Sequence, residues 1–309
     1  MIQAAIDLDR IIKGKNILWE VNKMANSMDI LLASREHVYS KYGRKAVDDL
    51  RDKANQGEFY ATKQLAEWGN VGSQFSIGNL YKNGNTPERK RDIAKETYWY
   101  NKAAEGGLFE AQVMLSDTYF EQGNHEDRKH WLEQAVSQAD DQTNPDSLSI
   151  RLYVKRNLGS MLAKYALEGS NPKRAFDLLN EVIKEGRPSD QEIIYAKGEL
   201  GMIYFDEEYT SRGLNVHDPD KGISLIKEWK AECARNGWLQ NLSYQCYAMG
   251  AVLSAGRFSV SKRDTHLRGR TKDDLMLAIE LFESISPNQP YYEDAQKAME
   301  IPKNLLPAV

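Results

Sequence analysis

The chain has 309 residues, of which 41% are apolar and 28% charged, with 9 prolines. This excludes a disordered chain, and the length is near the size at which a single core stops growing and chains divide or repeat. A net charge of −4 supplies no basic field for nucleic acid or anionic membrane, and two cysteines, Cys233 and Cys246, are too few for a disulfide framework.

The first stretch, MIQAAIDLDRIIKGKNILWE, carries Asp7, Asp9 and Arg10 among its apolar residues. It therefore lacks the uninterrupted apolar core of a signal peptide. No window approaches the roughly 18 apolar residues of a membrane span. The expectation is a cytoplasmic protein with no membrane association, whose residues 1–43 form an N-terminal helical cap. Further on, SQFSIGNLYKNG (73–84) reads as a helix although Gly78 sits in its middle. Glycine there costs about 1 kcal/mol relative to alanine.

Amphipathic helices follow at 93–107, 128–138, 172–186, 220–237 and 271–285, with apolar residues three and four apart, as in Phe176, Leu179, Val182 and Ile183. Gly107, Gly186 and Gly237 suit helix C-termini, and Pro172 and Pro219 suit first turns. A last helix is expected near 289–300, with Pro302 and Pro307 ending the helical pattern and leaving a tail. Alternating runs of β-branched residues that would read as strands are not found.

The chain also repeats itself. AEWGNVGSQFSIGNLY (66–81), moved along by 38 positions, lands on AEGGLFEAQVMLSDTY (104–119), so that Gly78 meets Ser116. The core of the match is an aliphatic residue, a small residue, two positions and then Tyr or Leu. It returns at Leu158-Gly159, Leu200-Gly201 and Met249-Gly250. A small side chain at each of these positions would let a neighbouring helix approach closely. Recurrence at such intervals predicts an all-α chain: an α/α solenoid, a right-handed superhelix of helix–turn–helix repeats in which each unit buries its apolar face on the next. The repeats are placed at 44–256, a basic loop at 257–271, and C-terminal capping helices with a tail at 272–309. Residues 49–69 also fit when set against 99–119, so the repeat phase near 44–84 has two solutions.

YWYNKAAEGGLFEAQVMLSDTY resembles the SEL-1-like repeat, a relative of the tetratricopeptide repeat. The residues that carry the resemblance are Trp99-Tyr100, Lys102-Ala103-Ala104, Gly106-Gly107, Ala111-Gln112, Leu115-Ser116, Tyr119 and Gly123. The preceding unit supplies Gln74, Ile77-Gly78, Tyr81 and Gly84. The match is good over 58–138 and degenerate from 146 to 256. The resemblance implies a non-catalytic protein–protein interaction scaffold or adaptor that binds a partner along its concave surface. A specific inhibitor or immunity protein clamping one effector is the alternative within the same class. From another class comes a hydrolase with an unrecognised site.

Chemistry-bearing residues give little support to the last reading. His125 and His130 are five apart, a poor ligand spacing on a helix, and no HExxH occurs. Cys233 and Cys246 read as small buried residues. Ser259 and Lys262 form a Ser-x-x-Lys, but the KTG and SDN elements of penicillin-type catalysis are missing from the sequence. No metal or cofactor is expected. For binding, Trp99 and Trp131 stand in matching places in successive first helices. Repeat packing accounts for both; anchoring a partner is the sharper reading. Tyr98, Lys102, Arg128 and Gln134 would then face that partner. RFSVSKRDTHLRGRTK (257–272), with Arg263, Arg268 and Arg270, reads either as a solvated insertion or as a contact for an acidic partner or RNA. PERKRD (87–92) reads as an exposed turn between repeats.

Overall fold

The computed structural model describes residues 27–139, 148–164, 169–187, 189–256 and 271–308. Among these, all regular structure is helical. The chain divides into two compact units, 1–154 and 155–309.

The first unit holds α1 (Ser27–Tyr42), α2 (Arg44–Asn55), α3 (Phe59–Glu67), α4 (Val71–Lys82), α5 (Ile93–Glu105), α6 (Phe109–Glu121) and α7 (His125–Ala139). Each helix packs on the next, and α1 also packs on α4. The division falls within α8 (Leu148–Ala163). The second unit continues with α9 (Pro172–Glu185), α10 (Gln191–Phe205), α11 (Pro219–Arg235), α12 (Ser243–Ala255), α13 (Lys272–Glu283) and α14 (Tyr292–Leu305). Within it α9 packs on α10, α10 on α11, α12 on α13 and α13 on α14. The result in each unit is an array of antiparallel helical pairs, as the repeat predicts.

Local chemistry explains where the helices begin and end. Asn70, Asp92, Asn171 and Asp218 each accept a hydrogen bond from the backbone N–H three residues on, which satisfies an otherwise unpaired donor of the first turn. Thr271 and Asp274 close a reciprocal capping box at the start of α13. The turns within the α3–α4 and α5–α6 pairs are built alike. Gly69 and Gly107 take φ of 92° and 86°, a region that favours glycine. The following amides, of Asn70 and Leu108, then reach back to the carbonyls of Leu65 and Ala103 at 3.0 and 3.1 Å.

The small residues do what the repeat requires. A Cβ on Gly78 would lie 2.6 Å from the ring of Tyr100 on α5. On Gly159 it would meet Leu179 of α9 at 3.0 Å, on Gly201 Ile226 of α11 at 2.7 Å, and on Gly250 Phe282 of α13 at 2.8 Å. Each second helix thus presents its small residue to the first helix of the next pair. Between α10 and α11 the approach is backbone to backbone, since a Cβ on Gly222 would lie 2.8 Å from the Gly201 carbonyl oxygen. Ser116 fills the equivalent place in α6, fully buried, with its hydroxyl donating to the Val113 carbonyl at 2.8 Å.

The two registers near 44–84 both have a structural counterpart. The α2–α3 turn closes around Gly57, with the Glu58 amide donating to the Lys53 carbonyl at 3.1 Å, in the same pattern as the turn at Gly69. Helix α3 is therefore the second helix of one pair and the first of the next.

Three details differ from the sequence reading. Helix α14 runs through Pro302 to Leu305 rather than stopping before it. Proline removes only its own N–H, and Pro302 is buried three residues before the helix ends, so packing holds the last turn. The buried face of α9 is Ala175, Leu178, Leu179 and Val182, with Phe176 and Ile183 half-buried at its edges. PERKRD is not simply an exposed turn. Arg91 reaches in and grips the fully buried Glu96 with two hydrogen bonds of 2.8 and 3.1 Å, and also pairs with Glu121 at 2.7 Å. Thr118 donates to the same Glu96 carboxylate at 2.9 Å. This network fastens the connection between α4 and α5 onto α6.

Candidate interaction surface

Helix α5 presents one side to solvent and the other to the core, and its tyrosine–tryptophan pair is split between them. Tyr98 is 54% exposed, whereas Trp99 is 7% exposed and packs with Ala66, Ile77 and Tyr81. The two rings meet edge-on at 4.9 Å. Trp99 therefore serves repeat packing and supports Tyr98 from behind. One turn further, the exposed Lys102 pairs with Glu105 at 3.3 Å.

The candidates on α7 are oriented inward. Arg128 is buried, its guanidinium 4.2 Å from the centre of the exposed Phe120 ring on α6. That contact is a cation–π pair within the molecule. Trp131 is half-buried against the cluster of Tyr100, Ala103 and Leu115, and Gln134 is half-buried as well. The structure thus brings Tyr98 and Lys102 together on one solvent-facing side and leaves Arg128 and Trp131 in packing roles. Arg263, Arg268 and Arg270 lie outside the described residues, as do Ser259 and Lys262.

One residue of this surface escaped the sequence reading. Tyr60 on α3 is 71% exposed and lies 38 positions before Tyr98. The same slide that pairs Ala66 with Ala104 pairs these two tyrosines, so the signal was present. His130 holds the corresponding exposed place on α7, edge-on to Trp131 at 5.0 Å. Successive first helices therefore carry an exposed ring beside a buried or half-buried one.

Reactive groups are quiet by comparison. Both cysteines are free, and neither is exposed. Burial pushes each thiol up to about 12, which keeps it protonated and unreactive at neutral pH. No cluster of three His, Cys, Asp or Glu that could hold a metal occurs among the described residues. A groove of about 370 Å³ runs between α11 and α13 over Ala231, Ala234 and Leu277. Its rim is closed by Lys227–Asp273 at 3.7 Å and Lys230–Glu280 at 2.8 Å. These charges neutralise one another, and the lining contains no histidine, cysteine, serine or threonine. No described helix is long and apolar enough to cross a membrane.

No family model and no curated protein sequence matches the chain. Among solved structures it is similar to a protective antigen of uropathogenic Escherichia coli strains displaying an SLR fold, at 16% identity and a TM-score of 0.46. That match covers 90% of this chain but only 57% of the antigen. It is also similar to a Sel1 repeat protein from Oxalobacter formigenes, at 14% identity and a TM-score of 0.38, covering 84% of this chain and 99% of the other. The assignment to an all-α array of repeated helical pairs stands on this chain's own turns and small-residue contacts.

Proposed function

We propose that the chain is a SEL-1-like repeat protein that acts without catalysis, as a cytoplasmic scaffold or adaptor that recognises another protein. One observation carries this reading: Tyr60 and Tyr98 stand exposed at matching positions of successive first helices, over a tightly packed interior. Tyrosine is favoured at interaction hot spots because it offers a large amphipathic surface with few rotatable bonds. Lys102 would supply charge beside Tyr98, and the basic residues Arg263, Arg268 and Arg270 remain proposed contacts for an acidic partner. The buried, protonated cysteines speak against a thiol nucleophile.

The test is affinity capture from the native host with the wild-type protein and a Tyr60→Ala/Tyr98→Ala variant. The variant is expected to retain its melting temperature and to lose its principal partner by about tenfold or more. Equal capture by both proteins would remove this surface from the interaction. A single partner held to the exclusion of others would select the inhibitor or immunity reading over the adaptor.

A further inference from the structure

A second aromatic surface lies in the other unit, assembled from residues far apart in the sequence. Tyr244 and Tyr247 project from α12, and Tyr291 immediately precedes α14. Tyr247 and Tyr291 stack at 5.6 Å with 21° between their planes, and Tyr244 meets Tyr291 at 5.5 Å. Tyr247 is half-buried and also faces Phe282 of the core at 6.1 Å. Tyr244 and Tyr291 remain 45% and 41% exposed. Two open rings are thus backed by a third that is anchored.

The position of Tyr291 is bought with strain. Its φ of 66° lies in the left-handed region, which a bulky L-residue seldom adopts. The preceding loop holds it there. Gln289 accepts a hydrogen bond from the Ser286 amide at 2.5 Å and donates to the Gln240 carbonyl, and Pro290 stiffens the approach. A strained aromatic residue presented to solvent on a tied loop is a preorganised contact.

The surroundings of these rings are acidic. Glu199 of α10 accepts from Ser160 at 3.0 Å, and after burial its negative charge helps push the Tyr244 phenol above its ordinary value. Glu293 and Asp294 stand exposed directly after Tyr291. The chain's own Lys164 already lies over the Tyr244 ring at 5.6 Å, so the site has one resident cation. Faces of electron-rich rings flanked by carboxylates attract ammonium and guanidinium groups and repel phosphate.

We propose that Tyr244, Tyr247 and Tyr291, with Glu199, form a docking site for a basic peptide segment of a partner protein, whose lysine or arginine side chains lie across the tyrosine rings. This site deepens the scaffold reading and rests on it only in that the occupant is a protein. It uses none of the residues on α3 or α5.

The probe is fluorescein-labelled hexa-arginine, with equally labelled hexa-glutamate as the control, read by fluorescence anisotropy against the full chain. Hexa-arginine is expected to bind and hexa-glutamate not to bind. Tyr244→Ala/Tyr291→Ala and Glu199→Gln are each expected to weaken binding by about tenfold, the scale of one or two cation–π or charge contacts. Tyr244→Phe/Tyr291→Phe is expected to keep it, because the ring face and not the hydroxyl makes the contact. Lys164→Ala is expected to tighten it by removing the resident cation. A second readout needs no variant: bound hexa-arginine should protect Tyr244 and Tyr291 from nitration by tetranitromethane, mapped by mass spectrometry. Unaltered binding by the alanine variant, or nitration unaffected by the peptide, overturns the proposal. If Tyr60→Ala/Tyr98→Ala binds hexa-arginine like the wild type while failing to capture its partner, the two surfaces are independent. The reverse pattern would assign the basic ligand to the first-helix surface and overturn the site described here.

Discussion

Gly78 sits in the middle of α4, where alanine would be the better helix former, and the reason is a neighbour on another helix. The Tyr100 ring is fully buried and its hydroxyl donates to Asn79 at 2.6 Å, so it cannot swing away from an added methyl group. Gly78→Ala is therefore expected to destabilise by about 1–3 kcal/mol through overpacking, despite the gain of about 1 kcal/mol in propensity. Gly72 in the same helix is the control. A Cβ there meets the tip of the Leu31 side chain at 3.1 Å, which can yield, so Gly72→Ala should keep or slightly raise the denaturation midpoint. Urea unfolding of the two variants checks the contrast.

Asp117 on α6 shows a second residue-scale effect. Burial raises its carboxyl above the ordinary 3.8, while a hydrogen bond from Tyr153 at 2.7 Å and the charges of Arg128 and Lys82 pull the other way. Because the folded-state value is raised, the group's contribution is fully present below 3.8 and is lost as pH rises through the folded value. At neutral pH the ionised side chain is a liability. Asp117→Asn keeps the acceptor for Tyr153 and should raise the melting temperature at pH 7, with the gain vanishing near pH 3. A gain of equal size at both pH values would refute the titration argument.

At the scale of elements, the connection between α4 and α5 depends on one buried carboxylate. Glu96→Gln retains the shape but removes the charge that Arg91 grips and leaves a donor where Arg91 and Thr118 both donate. Since Arg91 remains about a third exposed, the loss is expected at the low end for a broken buried pair, about 3 kcal/mol. Trypsin should then cut faster at Arg89, Lys90 and Arg91, as limited proteolysis would show. From sequence this stretch reads as a charged turn, because nothing in PERKRD says which of its cations turns inward. The helices themselves were far more legible. Period, cap residues and small residues locate α5, α7, α9 and α11 within a few positions, since those signals are local. Pro302 misleads because its burial, a tertiary fact, outweighs the local rule.

Across the whole molecule, the same division separates what sequence can convey from what it cannot. The repeat is written in residues at fixed spacing, so Gly78, Ser116, Gly159, Gly201 and Gly250 disclose the architecture before any coordinates. The first-helix tyrosines were half legible: Tyr98 lies inside the motif, and Tyr60 emerges only when the register is carried back to a less regular unit. The trio of Tyr244, Tyr247 and Tyr291 has no spacing of its own. It exists because α12 and the start of α14 meet, and because a loop holds one tyrosine in a conformation no propensity would select. Trp99 carries two readings in the sequence, repeat packing and partner anchoring, since a residue type favoured at interfaces is also suited to a core, and its 7% exposure is what packing leaves it.

The paired turns at Gly69 and Gly107 have one further consequence, for how such a chain can change over generations. Each turn closes on carbonyls of its own helix, so a pair brings its fastening with it and borrows none. The links within the α3–α4 and α5–α6 pairs are residues 68–70 and 106–108, equal in length, whereas the links between pairs vary from 122–124 to 83–92 and 206–218. Duplication or loss of a pair, and insertions between pairs, can therefore occur without rewriting the helices on either side. Uneven intervals between the small residues are the record such a history would leave.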